Sequence, residues 1–504
     1  MRIFYKKEEL IQLYERLINT AQHLLIKGNI NKALKCVKST ADFQYHLNSR
    51  YSDDRLNDII KKISFSLHKP DDYYSPNQDV VFFYDSFCLD NRGLTQQYLD
   101  ALVDCRKYKI FYVLEHSINK KGKNTINYCK ENNIIVKTLP GTSWLDRQQA
   151  LYELIQAYKP CAALFHLTPD TFIPFLSFYP FPGITKYQLN LTDHAFWLGG
   201  PDFFDYSYEF RPYGVAVSKQ KRGYELRQLI LNPYYPWNSG EPFKGFPDAV
   251  GNKTVIFSGG SPYKIEGDSG KYYDMVKTIL SENPDTVFLY ADGGNLTKLR
   301  SFIADNNLQK RMFLLGDRSD INAVFENCDI YLNTYPFGGG LMVQYAAING
   351  KPILMYKCKD LEDVICTKNK GTVSIGTLPE LYTEAHKLIT DVEYRKKRGV
   401  FFRNLIADQD DFRNRFKETF LKTVEPVCYE DIPIDYNAFC DGYVEKLNKN
   451  VFGLWELNFI KNRVISAKVV INSILNVGKI IKCLPRYIIN HLKPVNQSEI
   501  ANSL

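Results

Sequence analysis

Residues 329–342 read Asp329-Ile-Tyr-Leu-Asn-Thr-Tyr-Pro-Phe-Gly-Gly-Gly-Leu-Met342. The apolar run predicts a buried strand, Asp329–Asn333, ending at Asn333-Thr334. Pro336 turns the chain, and Gly338, Gly339 and Gly340 lead into a helix over Leu341–Ile348. Gly350-Lys-Pro352 ends that helix and opens the next strand. Three consecutive glycines are costly to order, which disfavours a purely structural role; a tight turn is the alternative. Helix N-terminal amides preceded by glycine form a site for a diphosphate.

The same grammar extends upstream. Expected strands at Val255–Ser258, Thr286–Tyr290, Met312–Leu315, Asp329–Asn333 and Pro352–Tyr356 alternate with helical stretches. The first runs into Ser258-Gly-Gly-Ser-Pro-Tyr-Lys-Ile265 and then towards a helix near Tyr272. Gly259, Gly260 and Ser261 let amides approach an anion, and Lys264 reaches the same phosphate as a point charge. Taken alone, this loop also fits an ordinary βα turn, since the GxGxxG and Walker patterns are absent. An earlier series has expected strands Asp79–Tyr84, Lys109–Leu114, Ile134–Lys137, Ala162–Phe165, Tyr187–Leu191 and Tyr213–Val217, with helices such as Thr95–Cys105 and Trp144–Tyr158 between them. Such alternation implies parallel sheets of βαβ units. A Pro/Gly-rich stretch from Asn232 to Asn252 reads as the linker between the two series. Tandem doubly wound domains usually bind ligand in the cleft between them, at the strands' C-terminal ends.

Both ends differ from the middle. Residues 8–68 carry Leu10, Leu13, Leu17, Leu24 and Leu25 at helical spacing, broken at Gly28-Asn29 and resumed by Ala33, Leu34 and Val37. The pair is similar to one tetratricopeptide unit, but solenoids need several, so a helical cap is the preferred reading. Over 451–490, Leu457, Ile460, Val464, Ile471, Ile474, Leu475 and Ile481 form an apolar stripe; Lys461, Lys468, Asn472, Asn476, Lys479 and Lys482 fall largely elsewhere. Either this basic helix lies on an anionic bilayer or it packs on the protein body.

The chain's 504 residues are ample for two to four domains. Hydrophobic residues make up 45% and charged residues 24%, which excludes a disordered chain or a small disulfide scaffold. Residues 451–504 hold seven Lys/Arg against two Asp/Glu, whereas residues 1–450 hold 57 against 54. The nearly neutral body argues against a general nucleic-acid surface. Eleven scattered cysteines without a CxxC pair argue against a zinc ribbon and fit a reducing cytoplasm. The N-terminus lacks the apolar core of a signal peptide, and no apolar run approaches a spanning helix. The expected location is cytoplasmic, at the inner face of a membrane if the tail binds one.

Strand, Thr-Tyr-Pro-Phe-Gly-Gly, helix and Gly-x-Pro resembles the C-terminal domain of GT-B sugar-nucleotide glycosyltransferases. Ser261-Pro-Tyr-Lys-Ile265 is similar to the phosphate-lysine segment of peptide O-GlcNAc transferases and bacterial adhesin N-glucosyltransferases. The resemblance, clearest over 250–400, implies two tandem Rossmann-like domains of GT-B type. The domains expected are a helical extension (1–75), an acceptor-side domain (76–245), a nucleotide-sugar domain (250–425) and a helical tail (426–504). By resemblance, Lys264 neutralises the donor diphosphate and Gly338–Gly340 bind it, Thr334 and Leu341 flanking them. Gly316, Asp317 and Arg318 sit beside the nucleotide; the alternative is a strand-to-helix turn capped by Asp317 or Ser319. The O-GlcNAc transferases' His-Thr-Thr is replaced by Gly340-Leu341-Met342, and their ribose-binding Asp falls near Tyr345. The Glu-x7-Glu of a retaining family would need acids near Phe337 and Gln344. These departures favour an inverting mechanism.

Asp193-His194-Ala-Phe-Trp-Leu-Gly-Gly200 resembles a segment of related bacterial cell-surface polysaccharide glycosyltransferases. It nominates His194, with Asp193, as a general base or a sugar-binding group. His166 and, more weakly, His116 follow other strands. Asp85, Asp90, Arg92 and Gly93 fall in the first loop, which in GT-B enzymes faces the acceptor; a surface Arg–Asp pair is the alternative. Asp408-Gln-Asp410 reads as a helix cap rather than a metal site, and Arg395–Arg398 as a solvated helix face. The function expected is transfer from a nucleotide-sugar, UDP-sugar foremost, to a glycan acceptor, lipid-linked if the tail binds membrane, without metal or other cofactor. The alternatives are a cytosolic protein O-/N-glycosyltransferase and a catalytically silent glycan- or partner-binding scaffold.

Overall fold

The computed structural model describes residues 3–88, 94–117, 123–224, 227–234, 241–292, 294–357, 365–368, 373–422, 433–434, 436–450 and 452–478. The chain forms two compact units. The first comprises Met1–Asp90, Leu102–Ile230 and Thr419–Leu504; the second comprises Asn91–Ala101 and Leu231–Glu418. The helices at both ends of the chain therefore belong to the first unit.

The first unit holds β1 (Asn77–Asp85), β2 (Lys109–Leu114), β3 (Ile135–Thr138), β4 (Pro160–His166), β5 (Thr185–Asn190), β6 (Tyr206–Glu209) and β7 (Gln228–Ile230). The spatial order is β3-β2-β1-β4-β5-β6-β7, parallel throughout. Near-continuous apolar strands such as Val80–Tyr84 suit a sheet buried on both faces. The second unit holds β8 (Thr254–Gly259), β9 (Thr286–Ala291), β10 (Met312–Leu314), β11 (Ile330–Leu332) and β12 (Ile353–Leu354), in the order β10-β9-β8-β11-β12, also parallel. Both sheets are Rossmann-like, with a topological switch where the order reverses, at β1/β4 and at β8/β11. This is the α/β, two-Rossmann arrangement expected of a GT-B chain.

One expected strand is a helix. Tyr213–Val217 lies inside the helix Pro212–Arg222, whose first residue is proline and whose end is capped by Gly223 in the left-handed region. Val215 and Val217 imitate a strand, but Pro at N1 and Gly at C′ are helix punctuation. The strands of that region are β6 and β7 instead.

Three helices, Lys7–Ile26, Ile30–Leu47 and Asp54–Leu67, open the chain and bury Leu17, Leu34, Val37 and Ile63 in the first unit's core. Among the described residues the tail holds three helices, Tyr436–Asn450, Phe452–Lys461 and Ala467–Leu475, the last two broken at 462–466, where the Ser466 hydroxyl caps the third. Trp455, Phe459, Val464 and Val469 join the same core. The body-packing alternative therefore holds for their buried side. Of the stripe expected from sequence, Val464 is buried, whereas Ile471, Ile474 and Leu475 are exposed; Lys479, Ile481 and Lys482 lie outside the described residues.

Two smaller expectations change. Arg395 donates to the carbonyls of Leu388 and Ile389, and Arg398 pairs with Glu384 at 3.3 Å, so half of the Arg395–Arg398 run clamps the helix Leu378–Thr390 rather than facing water. The N-cap of the helix Ile321–Asn327 is Asp320, not Asp317 or Ser319. Asp408 does cap its helix, accepting the Asp411 amide at 2.9 Å.

Candidate functional site

At the β8/β11 switch lies a cavity of about 270 Å³ lined by Gly260, Ser261, Lys264, Ala291, Asp292, Asp317, Arg318, Ile321, Gly339, Leu341 and Met342. Three strand ends build it. After β8, Gly259 is pinched: a Cβ there would sit 3.0 Å from the Ala291 carbonyl oxygen and 3.3 Å from Met342. Gly260 follows at φ +136°, a conformation side chains rarely adopt, and its carbonyl accepts the Tyr290 hydroxyl at 2.5 Å. Ser261 then starts the short turn Pro262–Lys264. Lys264 Nζ lies 3.5 Å from the Gly338 carbonyl, and the Lys264 carbonyl accepts the Phe337 amide. The glycine loop after β11 is thus tied to the lysine loop after β8.

The glycine loop is ordered by its own strand end. Thr334 donates its hydroxyl to the Phe337 carbonyl at 2.7 Å, the Tyr335-Pro336 peptide is cis, and Asn333 Oδ1 accepts the Gly339 amide at 3.0 Å. Gly339 N–H is therefore engaged, which corrects the expectation that all three loop amides face a ligand. Amides in the first turn of the helix Gly340–Ile348, those of Gly340, Leu341 and Met342, precede the first helical bond, which Val343 makes to the Gly339 carbonyl. Beneath the loop, Asn333 Nδ2 and the Tyr331 hydroxyl are buried without a hydrogen-bond partner among the described residues.

Arg318 lines the cavity, but its guanidinium is held by Asp320 through two bonds of 2.7 and 2.6 Å and donates to the Gly245 carbonyl. Lys244 donates its amide to Asp320 as well. Burial opposes ionisation of Asp320, but Arg318 and the Lys244 amide hold its carboxyl below the ordinary value. Arg318 thus fastens residues 244–245 to the turn after β10 rather than offering a free charge. Asp317 is exposed, and Gly316 has φ +70°. Gly259, Gly316, Thr334, Gly338 and Gly340 are the backbone joining the lining residues. Asp292 and Met342 were not anticipated. Asp292-Gly-Gly294, directly after a strand, carried the signal, since it repeats the strand-to-glycine grammar of the other two loops.

In the first unit the candidates separate. Asp193 is buried and ion-paired with Arg211 at 2.6 and 3.0 Å. Burial works against its charge, yet Arg211 and His194 hold its carboxyl well below the usual range. His194 Nδ1 lies 3.3 Å from Asp193 Oδ1, and the ring is 32% exposed. The backbone there is fastened too: the His194 carbonyl accepts from Asn48, and the Ala195 carbonyl accepts from Arg222 at 2.5 Å. Asp193 thus holds one side of the His194 ring, which remains about one-third exposed.

Asp85 and His166 end β1 and β4 and are fully buried. His166 Nδ1 is 3.0 Å from Asp85 Oδ1, Asp85 Oδ2 accepts the Tyr112 hydroxyl at 2.6 Å, and Oδ1 accepts the Phe87 and Cys88 amides. This pair fastens β1, β2 and β4 at the switch; neither side chain faces an acceptor, a correction to both expectations. His116 is half exposed, with Nε2 3.3 Å from Glu115. Burial raises the Glu115 carboxyl, but His116 and the Thr171 and Tyr84 hydroxyls bring it below its ordinary value. Asp90, Arg92 and Gly93 lie outside the described residues.

No family model and no curated protein sequence matches the chain. Several solved structures are similar to it in fold. The Anabaena protein HepE, solved with UDP and glucose, is 14% identical over 68% of this chain and 99% of its own, with a TM-score of 0.48. An O-GlcNAc transferase variant from Thermobaculum terrenum is 12% identical over 86% of this chain and 85% of its own, with a TM-score of 0.48. A putative UDP-N-acetylglucosamine 2-epimerase from Listeria monocytogenes is 12% identical over 70% of this chain and 100% of its own, with a TM-score of 0.47.

Proposed function

We propose that the second unit binds a nucleotide-sugar and that the chain transfers the sugar to a hydroxyl of a glycan. The observation that carries this is the cavity at the β8/β11 switch, where Lys264 and the first-turn amides of the helix Gly340–Ile348 meet. A cation beside free helix N-terminal amides suits a diphosphate. The carboxylates of Asp292 and Asp317 suit ribose or sugar hydroxyls, which donate to them. As the glycosidic bond to phosphate breaks, charge grows on the leaving nucleoside diphosphate; Lys264 and the helix dipole stabilise that charge. His194, held by Asp193, accepts the acceptor's proton or donates to the sugar. A UDP-sugar is the first donor to try, and no metal is invoked.

The acceptor side of the reading is a growing surface polysaccharide. The amino-terminal helices favour it over a polypeptide acceptor, because their apolar faces are buried in the first unit's core and do not form a free repeat array.

The test incubates purified protein with UDP-, GDP-, CMP- and dTDP-sugars and follows thermal shift and nucleotide release. One donor is expected to raise the melting temperature and release its nucleotide slowly, and Lys264→Ala is expected to abolish both. No shift and no release with any donor would favour the silent scaffold. Release of nucleotide with an epimerised free sugar would make the chain a donor-processing enzyme rather than a transferase.

A further inference from the structure

Fourteen large apolar side chains are exposed among the described residues, and seven of them fall on two touching segments. Ile3 and Phe4 lie at the start of the chain; Ile465, Ile471, Ile474, Leu475 and Val477 lie on or beside the helix Ala467–Leu475. Asn472 joins the segments: its side chain accepts the Ile3 amide at 3.0 Å and donates to the Ile3 carbonyl at 2.8 Å. Lys468 Nζ reaches the Phe4 carbonyl at 3.4 Å. Val469 and Asn472 occupy the helix side turned to the body, and Ile471, Ile474 and Leu475, at i, i+3 and i+4, occupy the other. Packing within the unit accounts for the first side and leaves Ile474 67% exposed on the second.

The charge around this patch is one-sided. Lys6, Lys461 and Arg463 are exposed beside it, and Arg16 donates to the Ile465 carbonyl. Nearby acids are engaged: Glu9 by Lys468, Asp441 by Lys7 and the buried Glu456 by the Tyr5 hydroxyl; Glu8 is exposed. A contiguous apolar patch with a basic rim marks an interaction surface, and its complement is apolar and anionic. We infer that the first unit docks on an anionic lipid bilayer through this patch, Ile3 and Phe4 entering the headgroup layer together with Ile471, Ile474 and Leu475. The contact is peripheral, since no helix among the described residues is long and apolar enough to cross a membrane. The surface keeps Ile471, Ile474 and Leu475 of the stripe expected from sequence; Val464 of that stripe is buried, and Ile3 and Phe4 join from the other end of the chain.

The test sediments the full chain with vesicles of pure phosphatidylcholine and of phosphatidylcholine and phosphatidylglycerol in equal parts, at low and high salt. Binding to the anionic vesicles alone is expected, weakening with salt. Phe4→Glu combined with Ile474→Glu is expected to cut it by about tenfold or more. Both side chains are exposed, and an unchanged melting curve confirms that the variant folds. Equal binding to both vesicles, or a variant that binds as the parent does, overturns the inference. So does a concentration-dependent dimer that the variant dissociates with no vesicle binding, which would make a second copy the occupant. The readout needs no nucleotide, so its failure and that of the donor site are separate results.

Discussion

Asp193 shows how one residue carries both stability and the orientation of a candidate catalytic group. Its carboxylate is buried against Arg211, so Asp193→Asn removes a negative charge that a buried guanidinium contacts at 2.6 Å. A loss of about 3–5 kcal/mol at neutral pH is expected, read from urea midpoints. The depressed carboxyl pKa fixes the sign of the pH dependence. The ion pair stabilises fully above the unfolded value of about 4 and is lost as pH falls through the lower folded value. The gap between parent and variant should therefore narrow below pH ~4. Lys264 makes the contrast: Lys264→Ala should remove donor binding while moving the melting temperature little, because the side chain is only half-buried.

At the scale of elements, the glycine loop is held by partners at both ends. Asn333 and Thr334 fix its start, and the helix Gly340–Ile348 must then be seated from below. The helix Val392–Leu405 packs beside it and closes on the turn at Gly350, where a Cβ on Gly399 would fall 1.9 Å from the Gly350 carbonyl oxygen. Gly399→Ala must push the two apart, at a cost of about 1–3 kcal/mol by chemical denaturation. Asn333→Ala acts differently. It frees the Gly339 amide and the loop's start, so donor affinity should fall several-fold in titration while secondary structure, read by circular dichroism, is retained.

Across the whole molecule, residues early and late in the chain are joined in one unit. Asn448 exchanges two hydrogen bonds with Tyr5, at 2.8 Å each, and Asn472 does the same for Ile3. Trp455 is buried against Phe43 and donates its indole N–H to Asp42 at 3.0 Å. Trp455→Ala should destabilise the first unit by about 3–5 kcal/mol. Hydrogen exchange should quicken across Lys7–Ile26 and Ile30–Leu47 and stay unchanged in the strands of the second unit, which has a core of its own.

The sequence by itself determined what is local. Strand runs, glycine punctuation and helix starts depend on residues a few positions apart, so both parallel sheets and the Lys264 and Gly338–Gly340 loops were legible. Where two local signals competed, as at Tyr213–Val217, the β-branched residues misled, because Pro212 and Gly223 decide that segment. The tertiary structure decided everything that depends on distant partners. Asp85 and His166 are 81 residues apart, and only strand pairing shows that they bury one another instead of facing an acceptor. Asp292 joins the cavity only because β9 lies beside β8. Which side of the tail is covered depends on helices more than 400 residues earlier, since spacing along one helix marks an apolar face but not the surface that covers it.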